Sequence, residues 1–286
     1  MSIQPEPLTR SDCDVAGTND PLLAGYPPHR EWVPTRTAEA GRYRVRFAQN
    51  ADDVDRILRL RFEVFNLELG EGLDSSFATR RDRDRFDPCC HHLLVEVKDT
   101  GAIVGTYRVQ TWEMAQQGQG LYSAGEFDLA ALPDGVLEQA IETGRACIHR
   151  DHRNRQVLFL LWRGLAFYLQ STGKRYFFGC SSLTSQDPLQ GVLLYRQLQA
   201  DGLVRRDLVV PPLPELRCQA SLPVLADGQE PPTVELPALF RTYLRYGAKV
   251  CSPPAIDRDF KTIDFLVLLD VEELSERSRR LFLEAD

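Results

Sequence analysis

Apolar positions along this chain recur with a period of two in some stretches and three to four in others, and the changes of period mark its elements. Tyr43–Phe47 alternates as a strand. Asn50 or Asp52 then caps a helix running to about Leu69, with Val54, Ile57, Leu58, Phe62 and Phe65 on one stripe. His92–Val97 and Ala102–Thr111 read as strands joined by Asp99-Thr100-Gly101, which is hairpin turn chemistry. Ile141–His149 is a further strand, and Val157–Thr172 is a strongly apolar helix ended by Gly173. After it come a strand at Arg175–Ser181, a helix at Pro188–Ala200, a strand at Leu203–Val209, an amphipathic helix at Leu236–Tyr246, a strand at Thr262–Asp270 and a charged terminal helix at Val271–Leu283. The order β-α-β-β-β-α-β-α-β predicts an α/β (α+β) mixed sheet with a central helix packed on it. Residues 1–40, with Pro21, Pro27, Pro28 and Pro34, read as a loose leader. Residues 41–286 form one domain with a Pro-rich insertion at about 211–235, and no internal repeat divides it.

Composition narrows the classes. At 286 residues and 43% hydrophobic the chain buries a full core as one large domain. A net charge of −7 and a pI near 5.4 argue against a nucleic-acid partner. The apolar runs fall far short of the roughly 20 residues a membrane-spanning helix needs. Met1–Thr18 is polar, with neither a basic n-region nor an apolar h-region, so a cytoplasmic protein is expected. Seven cysteines, an odd count, fit reduced thiols better than a disulfide framework. Cys89-Cys90-His91-His92 lacks metal-ligand spacing, since four adjacent residues do not readily converge on one tetrahedral ion; no metal is expected.

The chemistry lies in charges placed inside apolar patterns. Arg61 falls four residues after Ile57 and four before Phe65, on a buried stripe where a guanidinium needs a carboxylate unless it snorkels out along its stem. Arg108 interrupts a strand in the same way. In Ile141–His149, alternation sets Glu142, Gly144, Ala146 and Ile148 on one face and Thr143, Arg145 and Cys147 on the other. Glu142 and Arg145 read equally as a structural ion pair or as part of a site. The basic turn Arg150-Asp151-His152-Arg153-Asn154-Arg155 leads into the apolar helix, whose N-terminal amides suit an anion.

These segments, in this order, resemble the acyltransferase branch of the GNAT superfamily over roughly residues 42–286. Two groups there share the pattern: acyl-homoserine-lactone autoinducer synthases and ornithine–acyl-carrier-protein N-acyltransferases, often labelled hemolysin-like. Arg61 and Phe65 match Arg-x-x-x-Phe, Asp84 and Asp87 match Asp-x-x-Asp, Arg108 matches the arginine of Gly-Thr-x-Arg, and Glu142 and Arg145 match Glu-x-x-Arg. Autoinducer synthases carry a tryptophan shortly beyond Phe65, whereas Asn66–Gly72 holds none. Asp84-Arg85-Phe86-Asp87-Pro88, Glu126-Phe127-Asp128-Leu129, Tyr243–Cys251, Pro254-Ala255-Ile256-Asp257 and Thr262-Ile263-Asp264-Phe265 look like the ornithine group instead.

The resemblance implies a GNAT-like fold with a C-terminal extension and an N-acyltransferase. Such an enzyme moves a 3-hydroxyacyl group from acyl carrier protein to the α-amine of an amino acid, with L-ornithine the leading acceptor and lyso-ornithine lipid the product. Lysine, glycine and glutamine present a similar zwitterion, so the acceptor stays open on the residues alone. The resemblance implies Glu142 as base and Tyr195 as proton donor to the leaving thiolate, a tyrosine that suits core packing equally well. It implies Arg61, Phe65, Asp84, Asp87, Arg108 and Arg145 around the acceptor, although the aspartates also suit turns and caps. Arg153-Asn154-Arg155-Gln156-Val157-Leu158 lacks the glycines of a coenzyme A pyrophosphate cradle. Arg150, Arg153 and Arg155 suit the single phosphate and acidic surface of a carrier protein, or are simply a solvated turn. No cofactor is expected beyond the phosphopantetheine thioester as co-substrate. An amphiphilic product makes a peripheral contact with the inner membrane reasonable, with Leu236–Tyr246 as the element for it or as a core helix. The alternatives are autoinducer synthesis and a non-catalytic binding module of the same fold.

Overall fold

The structure, a computed structural model, describes residues 23–222 and 232–280. Strands β1 (Ala38–Ala40) and β2 (Tyr43–Phe47) precede helix α1 (Ala51–Arg61), whose first turn Asn50 caps by accepting from Asp53 N. A short α2 (Ser76–Thr79) precedes β3 (His91–Val97) and β4 (Ile103–Thr111), followed by α3 (Trp112–Gln117) and β5 (Ala140–Ile148). The long α4 (Arg155–Thr172), β6 (Tyr176–Leu183), α5 (Pro188–Ala200), α6 (Ala238–Arg245), β7 (Lys249–Val250), β8 (Ala255–Asp257), β9 (Thr262–Asp270) and α7 (Glu276–Arg279) complete the order. The strands form one sheet in the order β1-β2-β3-β4-β5-β6-β9-β7, with β8 also on β9, and only β5–β6 is parallel.

The apolar stripe of α4 covers one sheet face. Leu160, Leu161, Leu165 and Tyr168 pack with Val45, Leu93, Val95 and Tyr107, joined by Leu194 and Leu198 of α5 and by Phe240 and Leu244 of α6. Helix and sheet approach closely at Gly164, where a Cβ would lie 2.3 Å from Leu93 Cδ1. Helix α1 covers the opposite face, with Val54, Ile57 and Leu58 against Ala48 and Leu94.

The expected elements from Tyr43 to Ala200 form within a residue or two of their expected ends, except that α1 stops at Arg61 and the chain continues as a π-helical turn, Phe62–Glu68. Three expectations change. Leu203–Val209 makes only an isolated bridge, Val204 to Val250, because its neighbour β7 is two residues long and Arg205 folds back onto Asp207. The terminal helix is broken: Asp270 accepts from Glu272 N to start a 3₁₀ turn, and Ser275 caps a new helix, α7. Its expected remainder beyond Arg280, like residues 1–22 of the leader and 223–231 of the Pro-rich insertion, lies outside the described residues. Where the leader is described it packs, with Leu23, Tyr26 and Val33 buried and β1 on the sheet edge.

Candidate active site

A local fault in the strand pairing builds the site. β5 and β6 pair only from Ala140/Tyr176 to Glu142/Phe178, yet β5 runs on to Ile148 and β6 to Leu183. On the other edge of β5 the register steps from Arg108/Gly144 to Thr106/Cys147, so Arg145 and Ala146 together oppose Tyr107. Arg145 takes φ 48°, a left-handed conformation that side chains disfavour. This bulge overturns the simple alternation expected for the strand. Gln110, Arg108 and Thr106 stand opposite Glu142, Gly144 and Cys147, and Arg145 reaches the same Asp84 as Arg108, so Glu142 and Arg145 share a face. At the fork Gly179 admits the Thr143 carbonyl oxygen, which would lie 2.1 Å from a Cβ there.

The fork opens a cavity of about 660 Å³ between Thr143–Ile148 and Phe177–Ser182. One arm is apolar, walled by Leu158, Leu161, Trp162 and Leu165 of α4, Phe240 of α6 and Leu269 of β9. The other end is polar, with Glu142, Arg108, Arg145, Glu71 and Asp264 in its wall. Phe65 lines this end too, edge-on to Phe260 with ring centres 5.3 Å apart.

Glu142 is buried and holds three donors. Gln110 Nε2 donates to Oε2 at 2.6 Å, Tyr122 N to the same oxygen at 3.0 Å and Ser123 N to Oε1 at 2.7 Å. Three of the roughly four acceptor positions of a carboxylate are thereby used. Glu142 thus ties the Tyr122–Ser123 turn to β5.

Arg61, Asp84, Asp87, Arg108 and Arg145 converge as a buried ion network, completed by Asp82. Arg61 Nε meets Asp82 at 2.7 Å and its Nη1 meets Asp87 at 2.6 Å, with none of these side chains more than 1% exposed. Arg108 Nη1 bridges Asp84 at 2.5 Å and Asp87 at 3.0 Å. Arg145 Nη2 reaches Asp84 at 3.0 Å, and its guanidinium lies between the rings of Phe260, at 4.1 Å, and Tyr122, at 4.8 Å. Burial alone would raise the Asp84 carboxyl, but Arg108, Arg145 and Arg61 hold it well below the usual carboxylate range. Three guanidinium and three carboxylate groups balance. Arg61 is buried on its carboxylate partners, as its place on the apolar stripe requires, rather than snorkelling, and Arg61, Asp84 and Asp87 do not line the cavity. Asp84 and Asp87 are committed to arginines, so the geometry places them behind Arg108 and Arg145 rather than against a ligand amine. Arg145 Nε is buried without a hydrogen-bond partner.

The residues that sequence reasoning missed are acidic. Glu71 and Asp264 line the cavity, while one carboxylate oxygen from each of Glu126, Asp257 and Asp264 lies within 4.8 Å of the others. Burial, helped by Asp264, pushes Glu71 up to about 7, and burial with Asp257 brings Asp264 to about 6. Burial and both aspartates raise Glu126 well above its ordinary value. Glu126, Asp257 and Asp264 sit in fragments that carried the resemblance but suggested no role; only the sheet brings them together.

Tyr195 does not line the cavity. It is half-buried on α5 and packs against the core, so the core alternative describes its position. Arg150 is exposed and outside the cavity, whereas Arg153 and Arg155 border it. Arg153 donates to the Ile148 carbonyl and pairs with Glu68 at 2.7 Å. Asn154 accepts from Gln156 N and Val157 N, so a side chain takes two of the amides that an anion at the start of α4 would use. Among the described residues no helix is long and apolar enough to cross a membrane.

Residues 60–163 match the family model of the acetyltransferase (GNAT) domain. The chain is 33% identical over 246 residues to the L-ornithine N(alpha)-acyltransferase of Brucella abortus (strain 2308), covering 83% of this chain and 87% of that one. It is 32% identical over 245 residues to the protein of that name from Agrobacterium fabrum (strain C58 / ATCC 33970), covering 83% and 84%. Among solved structures, the AHL synthase LasI aligns with a TM-score of 0.45 at 10% identity, covering 87% of this chain and 96% of that one.

Proposed function

Because this chain belongs to the L-ornithine N(alpha)-acyltransferase family and has the GNAT fold, we propose that it moves a 3-hydroxyacyl group from the thioester of acyl carrier protein to the α-amine of L-ornithine. The product is lyso-ornithine lipid. The forked β5–β6 cavity supports this reading most directly, because one continuous space joins an apolar arm suited to an acyl chain with a charged end suited to an amino acid.

The reaction needs the amine nitrogen to reach the thioester carbonyl carbon. As the C–N bond forms, the carbonyl oxygen takes negative charge; the C–S bond then breaks and the sulfur leaves as thiol. The ornithine α-ammonium gives up one proton before attack and a second afterwards, of which the thiolate takes one and solvent the other. Backbone of β5 beyond Glu142 has no β6 partner and supplies N–H groups toward the developing oxyanion. Glu142 accepts the amine, or a water that carries its proton, at its remaining acceptor position. Arg145 receives the acceptor carboxylate, and Arg61, Asp82, Asp84, Asp87 and Arg108 fix its position. A thioester on a single phosphopantetheine phosphate fits the capped start of α4 better than a pyrophosphate does, and Arg150, Arg153 and Arg155 suit an acidic carrier.

The purified chain, given 3-hydroxyacyl carrier protein and L-ornithine, is expected to yield N-acylornithine and free thiol by mass spectrometry. Thioester consumption that required adenosylmethionine and released methylthioadenosine would replace this reading with autoinducer synthesis.

A further inference from the structure

Charge is balanced on one side of the cavity and unbalanced on the other. Arg61, Arg108 and Arg145 are met by Asp82, Asp84 and Asp87. Glu71, Glu126, Asp257 and Asp264 have no such complement: among the described residues no lysine, arginine or histidine pairs with any of them, and Lys261, near them in sequence, is taken by Asp74. Buried carboxylates with no ion-pair partner either hold a proton or meet a cation that arrives with a ligand.

The group is aimed and incomplete. Asp264 is 2% exposed yet lines the cavity, and its Oδ2 accepts from Thr262 Oγ1 at 3.0 Å while its Oδ1 has no hydrogen-bond partner. Glu126, 5% exposed, likewise leaves Oε1 without a partner. Asp257 behind them accepts from Tyr122 Oη at 3.1 Å and from Phe260 N at 2.8 Å. Glu71, held by the Thr184 hydroxyl, closes the cavity wall nearby. Tyr122 connects this group to the rest of the site, since its amide holds Glu142, its ring faces Arg145 and its hydroxyl holds Asp257. The anionic group therefore lies one side chain away from both the proposed base and the proposed carboxylate partner.

Resting on the functional reading above, we propose that Asp264 and Glu71, backed by Glu126 and Asp257, form the subsite for the side-chain ammonium of a diamino acid acceptor. The subsite selects a basic amino acid over its uncharged counterpart and leaves the α-amine as the reacting nitrogen. An alkylammonium donates three hydrogen bonds, and the cavity-lining carboxylates of Asp264 and Glu71 are the acceptors the site offers. Its arrival also draws protons from the raised carboxyls, so binding of the diamino acid releases protons whereas binding of an analogue lacking the terminal ammonium does not.

The test compares ornithine with norvaline, which has the same carbon skeleton without the terminal ammonium, in the full chain and in Asp264→Asn and Glu126→Gln. The wild-type ratio of kcat/KM for ornithine over norvaline is expected to fall about 10- to 100-fold in each variant, the loss typical of a charged hydrogen bond. Titration calorimetry in buffers of different ionisation enthalpy is expected to show proton release with ornithine and none with norvaline. An unchanged ratio in both variants, with the wild type still acylating ornithine, overturns the subsite and leaves the function standing; a wild type that never acylates ornithine overturns the function itself. Saturable binding of Ca²⁺ or Mg²⁺ that Glu126→Gln abolishes would make the group a metal site and sink the assignment. If Asp264→Asn fails to fold, Glu126→Gln carries the comparison.

Discussion

Arg61 Nη1 and Asp87 Oδ1 lie 2.6 Å apart with essentially no solvent at either. They belong to the ion network that reaches Arg108 and Arg145 at the cavity, so a pair that does not line the cavity supports side chains that do.

Removing one partner of such a network strands the other charge in the interior. Arg61→Met is therefore expected to cost about 3–5 kcal/mol of stability. Urea unfolding followed by circular dichroism measures it; a loss under about 1 kcal/mol would mean that water reaches Asp82 and Asp87.

Glu142→Gln alters one atom type and replaces an acceptor with a donor opposite either Ser123 N or the Gln110 Nε2 and Tyr122 N pair. A drop in kcat/KM of about 100-fold or more is expected, in the range of a lost general base. Steady-state acyl transfer by a variant with native circular dichroism reads it out. Activity within about threefold of wild type would remove Glu142 from the chemistry.

Arg150 and Arg155 are exposed at the start of α4, and neither has an acidic partner among the described residues. Arg150→Glu combined with Arg155→Glu is expected to raise the KM for acyl carrier protein about tenfold and to flatten its salt dependence. Turnover of a short N-acetylcysteamine thioester should change less than about threefold. Equal losses on both donors would discard the docking role.

The acidic subsite sets a pH dependence whose sign follows from its raised carboxyls. Glu71, near 7, faces Thr184, Asp264 and Arg145; Asp264, near 6, faces Ser182, Asp257, Thr262 and Glu126. Between about pH 4 and 7 the folded chain holds protons that the unfolded chain has released. Their burial therefore costs nothing below pH 4 and progressively destabilises the fold as pH rises to 7, by the order of 2–3 kcal/mol per group. Urea midpoints at pH 5 and pH 8 should differ in that direction, and Asp264→Asn should narrow the difference. Saturating ornithine should narrow it as well, because a cation in the subsite favours the ionised carboxyls.

Most of the scaffold was legible in the chain. The strands expected at Tyr43–Phe47 and Thr262–Asp270 became β2 and β9 with the expected ends, and Asn50 and Gly173 marked the helix boundaries they signalled. Those features are local: capping, turn chemistry and alternation act over a few residues. Leu203–Val209 failed because strand formation needs a partner, and β7 beside it is two residues long.

The sequence by itself determined the mixed sheet, the position of α4 after β5, and the buried charges at Arg61, Arg108, Glu142 and Arg145, because an ionised side chain on an apolar stripe must find a partner. It could not determine which partners. The left-handed turn at Arg145 reverses the facing of half a strand, and no pattern of period two anticipates a bulge. The meeting of Glu126, Asp257 and Asp264, more than 100 residues apart along the chain at its widest, is likewise a product of tertiary pairing. Electrostatics acts through space, so only the folded sheet decided that the aspartates at 84 and 87 neutralise arginines while, among the described residues, these other carboxylates form no ion pair beside the cavity.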